Sequence, residues 1–592
     1  MSKILNYFSD DSEYQWLFKN AIDWDKVLPL YYPTYPTEDG LNSKEEVLQF
    51  LSELLSNTGS WACQKVQARA ASLDINGAGT VVDGKTFPGK ELTELYSEAK
   101  ELELIGLLMP REFGGLQVPS PMQFIVLAQL ARACVASSTQ IAFFSSIAEM
   151  VHRYCDHETA KRIVPQIMKM ELSGSMNLTE PGCGSDLGMI KTSAIPDGHG
   201  AYLLNGQKIF ITNGGGGLQF VLARIKGAPE GLEGISMFFV EQKKEENGKE
   251  VLNYLVTKNE EKMGMHGSFT CVITYENTKA HLIGKEGEGF KYMLHLMNEA
   301  RIAVGMQGLG GIESALDHAV AYAKERVQFG KPISELPLLK RYISDYETER
   351  DAIRALLFDT ISYYDQFQFL DLKKKKTNDL TAAEEKQFKH VSMWTRKRTP
   401  LVKYYACEKY TELSTKAIQI LGGYGFMQEY PLERIHRDSF GPLLYEGTSQ
   451  IQALMALKDL VKQAVKDPRR FMASIFTTHA SIGLIAGKSQ NQVEFQKVQY
   501  RFKKKMVKLI VSSLKPEGSR LLDPKAWQSE EKVNQLMIHA ETLCQALCYT
   551  ETLRVLAKHA DLDPSRVDLY NRYSLLVRPR LEAIYTDWDL RS

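Results

Sequence analysis

Over most of the chain apolar residues recur every three to four positions, and one stretch near the middle switches to the two-residue period of strands. Residues 45–55, with Val47, Leu48, Leu51, Leu54 and Leu55 on one stripe, predict a helix. Residues 91–108 predict a second, stopped by Pro110. The segment 121–151 is too uniformly apolar for a surface helix and predicts a buried one. Residues ahead of about 50 are polar and aromatic with weak periodicity, and read as an N-terminal extension.

From about 193 the pattern breaks into short β-rich runs at 201–204, 208–212, 220–223, 235–240 and 269–275. Turn residues separate them, and Asn205-Gly206 between two such runs predicts a hairpin. Asn213-Gly214-Gly215-Gly216-Gly217 predicts a second turn. Helical spacing returns over 290–323 and 338–365. Lys373-Lys374-Lys375-Lys376 then predicts a solvated loop between helices, before 384–421 and 449–465 complete a four-helix bundle. The expected fold class is α+β, mainly α. It comprises an N-terminal helical domain with its extension (1–172), a middle antiparallel β domain (173–285), a four-helix bundle (286–460) and an additional helical domain (461–592).

At 592 residues the chain exceeds what one core supports. Basic and acidic residues balance at 72 each, so no overall field draws it to nucleic acid or membrane. The last segment departs from that balance. Residues 461–592 hold 22 Lys and Arg against 14 Asp and Glu, an excess of eight, richest at Arg501-Phe502-Lys503-Lys504-Lys505-Met506-Val507-Lys508. A basic amphipathic helix can contact nucleic acid or an anionic membrane; a solvated face on a packing helix is the favoured expectation. Eight cysteines in so long a chain make no disulfide framework, and Cys544 and Cys548 read as packed thiols rather than metal ligands. No metal site is expected. The N-terminus turns acidic without an apolar core, unlike a signal peptide, and a cytoplasmic location is the expectation.

Candidate chemistry centres on Tyr445-Glu446-Gly447-Thr448-Ser449-Gln450, downstream of the turn Gly422-Gly423-Tyr424-Gly425-Phe426. A carboxylate partly desolvated by a ring becomes a stronger base, and the missing side chain at Gly447 lets a substrate approach the backbone. On these residues alone, an ordinary glutamate in a surface turn is the more economical reading. Ser175-Met176-Asn177-Leu178-Thr179-Glu180-Pro181-Gly182-Cys183-Gly184-Ser185-Asp186 supplies backbone N–H groups and hydroxyls suited to a flavin edge or a phosphate. Lys208-Ile209-Phe210-Ile211-Thr212 offers a flat apolar wall and a hydroxyl. In Glu325-Arg326-Val327-Gln328-Phe329-Gly330-Lys331, Arg326 offers a planar fork suited to pyrophosphate. Gly305-Met306-Gln307-Gly308-Leu309-Gly310-Gly311 only imitates a dinucleotide fingerprint, since no strand precedes it; it reads as small residues that let helices pack closely.

These stretches resemble the signatures of the acyl-CoA dehydrogenases, four motifs in the family's order and intervals over roughly residues 80–460. The resemblance implies an FAD enzyme of fatty-acid β-oxidation. Glu446 would take the α-proton of an acyl-CoA, the β-hydrogen would leave as hydride to flavin N5, and a trans-2-enoyl-CoA would form. It implies that Leu178 and Thr179 meet the flavin's pyrimidine side, and that Gly184 and Ser185 bound the FAD pyrophosphate. Phe210, where the family usually has Trp, and Thr212 would face the isoalloxazine. Arg326, Gln328, Phe329, Gln419 and Gly423, with Thr448 and Gln450, would complete FAD binding, several of them toward a neighbouring subunit's cofactor. Hence it implies a homodimer or homotetramer. Ser185, Asn298, Arg301 and Gly447 would bind substrate, and the backbone N–H of Glu446 with a ribityl hydroxyl would polarise the thioester carbonyl. Some members place the base on an earlier helix, at the position of Ala300 here; Glu299 is one residue off and faces about 100° away, so Glu446 is the expected base. Electron-transfer flavoprotein would reoxidise the flavin. The long C-terminal extension resembles the branch holding 3-methylmercaptopropionyl-CoA dehydrogenases, very-long-chain enzymes and the alkylation-response flavoprotein. The rival readings are an acyl-CoA oxidase and a DNA-associated flavoprotein of the alkylation-response kind.

Overall fold

A computed structural model describes residues 4–246, 248–515 and 530–591. The part of the expected 461–592 helical domain that falls on 516–529 lies outside them. The chain forms two compact bodies. The first gathers residues 1–12, 28–314 and 428–442, the second residues 13–27, 315–427 and 443–592.

In the first body the helix Lys44–Trp61 starts where Ser43 caps it, the hydroxyl accepting from the Glu46 N–H at 3.2 Å, and buries Val47, Leu51 and Leu55. It continues through a π-turn, Ala62–Val66, into the helix Gln67–Asn76. The segment expected as one helix at 91–108 stops earlier, at Glu101, because Glu103 turns left-handed (φ 53°) into a 3₁₀ turn, Leu104–Gly106. The apolar segment 121–151 is buried as expected but is two helices, Pro121–Ala133 and Val135–Tyr154, parted by the extended residue Cys134. Gly310, in the helix Gly289–Glu325, explains the glycine cluster of that helix. A Cβ there would lie 2.5 Å from the Ala128 carbonyl oxygen and 2.6 Å from the Arg132 nitrogen, so the glycine permits backbone-to-backbone packing.

The sheet of this body has seven strands. Six lie in the order Leu255–Asn259, Thr270–Ile283, Tyr202–Thr212, Ser193–Pro196, Gly217–Ile225 and Ser173–Asn177, while Ile235–Glu241 pairs with both Thr270–Ile283 and Gly217–Ile225. Two expectations fail here. The sheet is mixed rather than antiparallel, since Ser173–Asn177 and Ser193–Pro196 both run parallel to Gly217–Ile225. Asn205-Gly206 makes no hairpin: one strand, Tyr202–Thr212, runs straight through it. The partner strand takes up the irregularity, slipping register between Tyr275 and Thr278 with Asn277 left-handed (φ 47°). The two asparagines bond across that slip, the Asn277 N–H and the Asn205 side-chain amide donating at 3.0 and 3.1 Å. Gly206 is needed because a Cβ would strike Thr192 at 2.6 to 3.0 Å.

The second body is helical. Pro337–Thr377 and Ala382–Leu421 are long antiparallel neighbours, joined by Ser449–Lys466 and, from the extension, Gln490–Leu514, Glu530–Met537, Ala540–Leu562 and Val567–Arg591. The four lysines at 373–376 are helical, not a loop. Lys373 and Lys374 pair with Glu384 and Glu385, each at 2.7 Å, and Lys375 with Asp371 at 2.7 Å, so these three of the four have a carboxylate within reach while still in the helix. The turn is confined to the left-handed Asn378 and the capping box of Thr381 with Glu384.

Extension and bundle share buried charges. Asp359 pairs with Arg398, with Arg554 at 3.1 Å and with Lys558 at 3.7 Å. Glu551 pairs with Lys397 and, at 3.1 Å, with Arg554. The Trp394 ring lies 4.5 Å from the Arg398 guanidinium and 5.0 Å from that of Arg554. Burial pushes both carboxyls up, but the surrounding cations prevail, holding Asp359 well below the carboxylate range and Glu551 at about 2. The N-terminal residues 13–27 belong here as helices rather than a loose extension. Glu13 accepts two hydrogen bonds from the Arg566 guanidinium, both at 2.5 Å, and Trp16 donates to Asp563 at 2.7 Å. Three of the five cations in the basic run of Gln490–Leu514 face carboxylates of the helix Val567–Arg591, Arg501 pairing with Glu582, and Lys505 and Lys508 with Asp589. Cys544 and Cys548 are wholly buried, packed as expected. Among the described residues no helix is long and apolar enough to cross a membrane.

Candidate functional site

Candidate residues gather within each body, and in the second at two places. In the first, the loop after the strand Ser173–Asn177 is pinned from below by a buried ion pair. Lys208 points inward from the strand Tyr202–Thr212, donating to the Leu178 carbonyl at 2.8 Å and to Glu180 Oε1 at 2.9 Å. Glu180 also accepts from the backbone N–H groups of Thr192 (3.0 Å) and Lys191 (2.7 Å), and closes a two-bond bridge with Cys183. Burial lowers the Lys208 ammonium to about 8 against the opposing pull of Glu180. Burial raises the Glu180 carboxyl, but Lys208 and the N–H donors outweigh it and hold it below its ordinary value.

That frame leaves Leu178 and Thr179 half-buried and Gly184 and Ser185 exposed at the rim. The Ile209 N–H donates to the Thr179 carbonyl at 3.0 Å, tying the loop to the strand that carries Phe210 and Thr212. Phe210 is left-handed (φ 58°) and 61% exposed, a large flat ring turned outward from a sheet by unusual backbone. Asn298 and Arg301 stand one turn apart on the helix Gly289–Glu325, Arg301 donating to Asn298 Oδ1 at 2.8 Å.

In the second body, the helix Leu432–Leu444 ends and the chain passes through two successive left-handed residues, Glu446 (φ 56°) and Gly447 (φ 85°). Thr448 then caps the helix Ser449–Lys466, its hydroxyl accepting from the Ile451 N–H at 3.4 Å. Gly447 favours glycine twice over, by its left-handed φ and because a Cβ there would lie 2.8 Å from Gln452 Nε2. Two buried side chains grip the turn. Lys403 Nζ donates to the carbonyls of Leu443 (3.1 Å) and Gly447 (2.8 Å), and Gln452 Nε2 to those of Glu446 and Gly447, both at 3.0 Å.

Elsewhere in this body Arg326, Gln328, Gln419 and Gly423 meet around a cleft of about 510 Å³, walled by Tyr322 and Tyr424. The Arg326 guanidinium lies 5.7 Å from the Tyr424 ring centroid. A Cβ built on Gly422 or Gly423 meets nothing within 4 Å, so the backbone there is open to a bulky anionic group beside a fixed guanidinium. Phe329, left-handed and 89% exposed, tips the hairpin Val327–Gln328/Lys331–Pro332 beside the cleft. Four expected cofactor residues thus converge. Gln450 does not join them: its amide donates to Glu541 of the extension at 3.0 Å.

Lys208, Lys403 and Gln452 carry positioning contacts that motif reading passed over. For the lysines a signal was available, a cation inside an apolar run: Lys208 ahead of Ile209-Phe210-Ile211, Lys403 between Leu401-Val402 and Tyr404-Tyr405.

Family models match nearly all of residues 53–461. Those described as acyl-CoA dehydrogenase N-terminal, middle and C-terminal domains match residues 53–171, 175–278 and 287–461. Among relatives, an acryloyl-CoA reductase (NADH) of Anaerotignum propionicum is 32% identical over 68% of this chain and 94% of its own length. An acyl-CoA dehydrogenase of Bacillus subtilis is 33% identical over 60% of this chain and 87% of its own. A solved acyl-CoA dehydrogenase from Bacillus anthracis, complexed with FAD, is similar in fold with a TM-score of 0.73. It is 20% identical, and the match covers 97% of this chain, extension included, and 91% of that one.

Proposed function

The chain belongs to the acyl-CoA dehydrogenase family, and from that premise we propose that it dehydrogenates an acyl-CoA thioester between its α and β carbons, yielding a trans-2-enoyl-CoA, with Glu446 as the base. FAD is the cofactor, and when bound it supplies the hydride acceptor. The observation that carries the assignment of the base is the turn at Glu446. A glutamate is held in left-handed backbone beside a half-buried tyrosine, its carbonyl fixed from behind by Gln452.

Glu446 removes the α-proton. An α-C–H is too weak an acid for a carboxylate unless the thioester carbonyl is polarised, and the Glu446 N–H is the donor we assign to that oxygen. Leu178, Thr179, Gly184, Ser185, Phe210 and Thr212 hold one FAD, the outward Phe210 ring serving as its wall. Arg326, Gln328, Phe329, Gln419 and Gly423 serve the FAD of a second subunit in a homodimer or homotetramer. The support is the open cleft with its guanidinium, and the exposure of Phe329, an apolar surface that a partner would cover. Thr448 and Gln450 support the turn and its helix. Ser185, Asn298, Arg301 and Gly447 bind the substrate, and electron-transfer flavoprotein takes the electrons. The pairing of the basic run with Glu582 and Asp589 disfavours the DNA-associated reading.

The test is anaerobic mixing of the FAD-loaded protein with acyl-CoAs from short to long, the methylthio compound included. One chain class bleaches the flavin rapidly, and Glu446→Gln loses the bleaching by about three orders of magnitude or more while retaining FAD. Absence of bleaching by every thioester would remove the reading, and rapid oxygen uptake would move it to an oxidase.

A further inference from the structure

We propose that Lys403, with Gln452, is the positioning residue of the base, fixing the backbone from which Glu446 reaches its substrate. The inference rests on the reading of Glu446 as base. It starts from an energetic anomaly. A left-handed non-glycine residue is unfavourable by about 1–3 kcal/mol and persists only where its surroundings over-determine it. Here Glu446 and Gly447 are both left-handed in succession, immediately after a helix end whose carbonyls need partners.

The over-determination comes from two side chains on two different helices. Lys403, on Ala382–Leu421, spans the turn, one ammonium joining the carbonyl three residues before Glu446 to the carbonyl one residue after it. Gln452, on Ser449–Lys466, holds the Glu446 and Gly447 carbonyls together. Gly447 therefore has its carbonyl oxygen gripped from both sides, and with it the peptide plane that follows the strained pair. Four N–H···O contacts thus define a segment of five residues, and both donor side chains are wholly buried.

Burying an ammonium is costly, and a methionine of similar length would fill the same helix position without that cost. What a methionine lacks is the reach to two carbonyls at once. The ammonium reaches the turn: these two acceptors of Lys403 lie at the end of Leu432–Leu444 and in the turn that follows. A misplacement of the base by about 1 Å lowers a proton-transfer step by about 100-fold while barely altering how a long thioester binds. Lys403 and Gln452 touch neither substrate nor cofactor in this account; they act through Glu446.

The experiment uses full-length, FAD-loaded protein and the acyl-CoA that bleaches the parent fastest. Lys403→Met and Gln452→Met are compared with the parent and with Glu446→Gln by rapid-mixing flavin reduction. The limiting rate constant at saturation, the apparent substrate Kd, the FAD content and Tm are all recorded. The expected result is a fall in limiting rate of about 30- to 100-fold for Lys403→Met and about 10-fold for Gln452→Met, with substrate Kd within about threefold and FAD content unchanged. A limiting rate within twofold of the parent in Lys403→Met overturns the proposal, as does a loss confined to substrate Kd or FAD content. Should Lys403→Met not yield folded protein, Gln452→Met decides by the same criteria. Wild-type reduction by Glu446→Gln would instead remove the premise, and the proposal with it, a failure distinct from that of Lys403.

Discussion

Replacing Asp359 by asparagine leaves two arginines facing each other inside the protein without the carboxylate that joins them. Asp359 is almost wholly buried and is the nearest carboxylate to Arg398, whose next acidic neighbour, Glu551, stands at 3.8 Å. Asparagine keeps the shape and one acceptor but not the charge. Breaking a buried pair from one side costs about 3–5 kcal/mol, because the surviving charge stays buried, here with the more distant Glu551 left to face it. That is a large share of the roughly 5–15 kcal/mol by which a folded domain is stable. With a urea m-value of about 3 kcal/mol/M, the unfolding midpoint falls by about 1–2 M. Tryptophan emission is a suitable probe, since Trp394 lies against both guanidiniums. The double variant Asp359→Asn/Arg398→Met recovers much of the loss, because no charge is then stranded. Acid sharpens the test. The Asp359 and Glu551 carboxyls are held below their unfolded values of about 3.9 and 4.3, so their contribution is present above about pH 5 and is lost as pH falls through that range and below. Asp359→Asn therefore flattens the acid limb of stability against pH. A loss under about 1 kcal/mol, or a double variant weaker than the single, would refute the reasoning.

Two further outcomes follow from close packing and from the buried Lys208. Gly310→Ala drives a methyl into the backbone of the helix Pro121–Ala133, and lowers stability by about 1–3 kcal/mol; Gly182→Ala, whose Cβ would meet nothing, leaves Tm within about a degree, and equal Tm values for the two would contradict the packing account. Lys208 ionises at about 8 in the folded protein against about 10.4 unfolded. Between those values the unfolded chain binds more protons, so this group's contribution to stability rises with pH, by up to about 1.4 kcal/mol per unit. Urea unfolding at pH 7, 8.5 and 10 checks it: the rise disappears in Lys208→Met, and an identical pH slope in both proteins would exclude the buried ammonium.

Helix-rich regions and the β-rich middle were legible because their periods differ over long windows, which is where hydrophobic patterning is strongest. Local punctuation misled. Asn205-Gly206 carries a hairpin signature, but a pair of strands can absorb the same residues as a bulge when a third segment, here Thr192, needs glycine's clearance. The lysines at 373–376 look like a loop only until their carboxylate partners eleven residues on are known. Cys134 divides a uniformly apolar segment with no breaker residue at all, because both halves are buried and periodicity carries no orientation there. On the site, motif order pointed to Glu446 and to the Arg326 cleft. The two positioning lysines carry no such mark: Lys208 opens its stretch without a motif role, Lys403 lies outside every motif, and both bond main-chain carbonyls, which every sequence offers everywhere.

The clasp between the chain's two ends bears on how the protein is made. Glu13 emerges from the ribosome 553 residues before Arg566, its partner. At about 5–20 residues per second, the nascent N-terminal helix waits about 30 to 110 s with its acidic side chain and its Tyr14, Leu17 and Phe18 surface unmatched. The second body therefore cannot close until Arg566 has emerged and can return to the first helix. A chain stalled before that point would expose that apolar face, and the demand on chaperones lasts until Arg566 arrives.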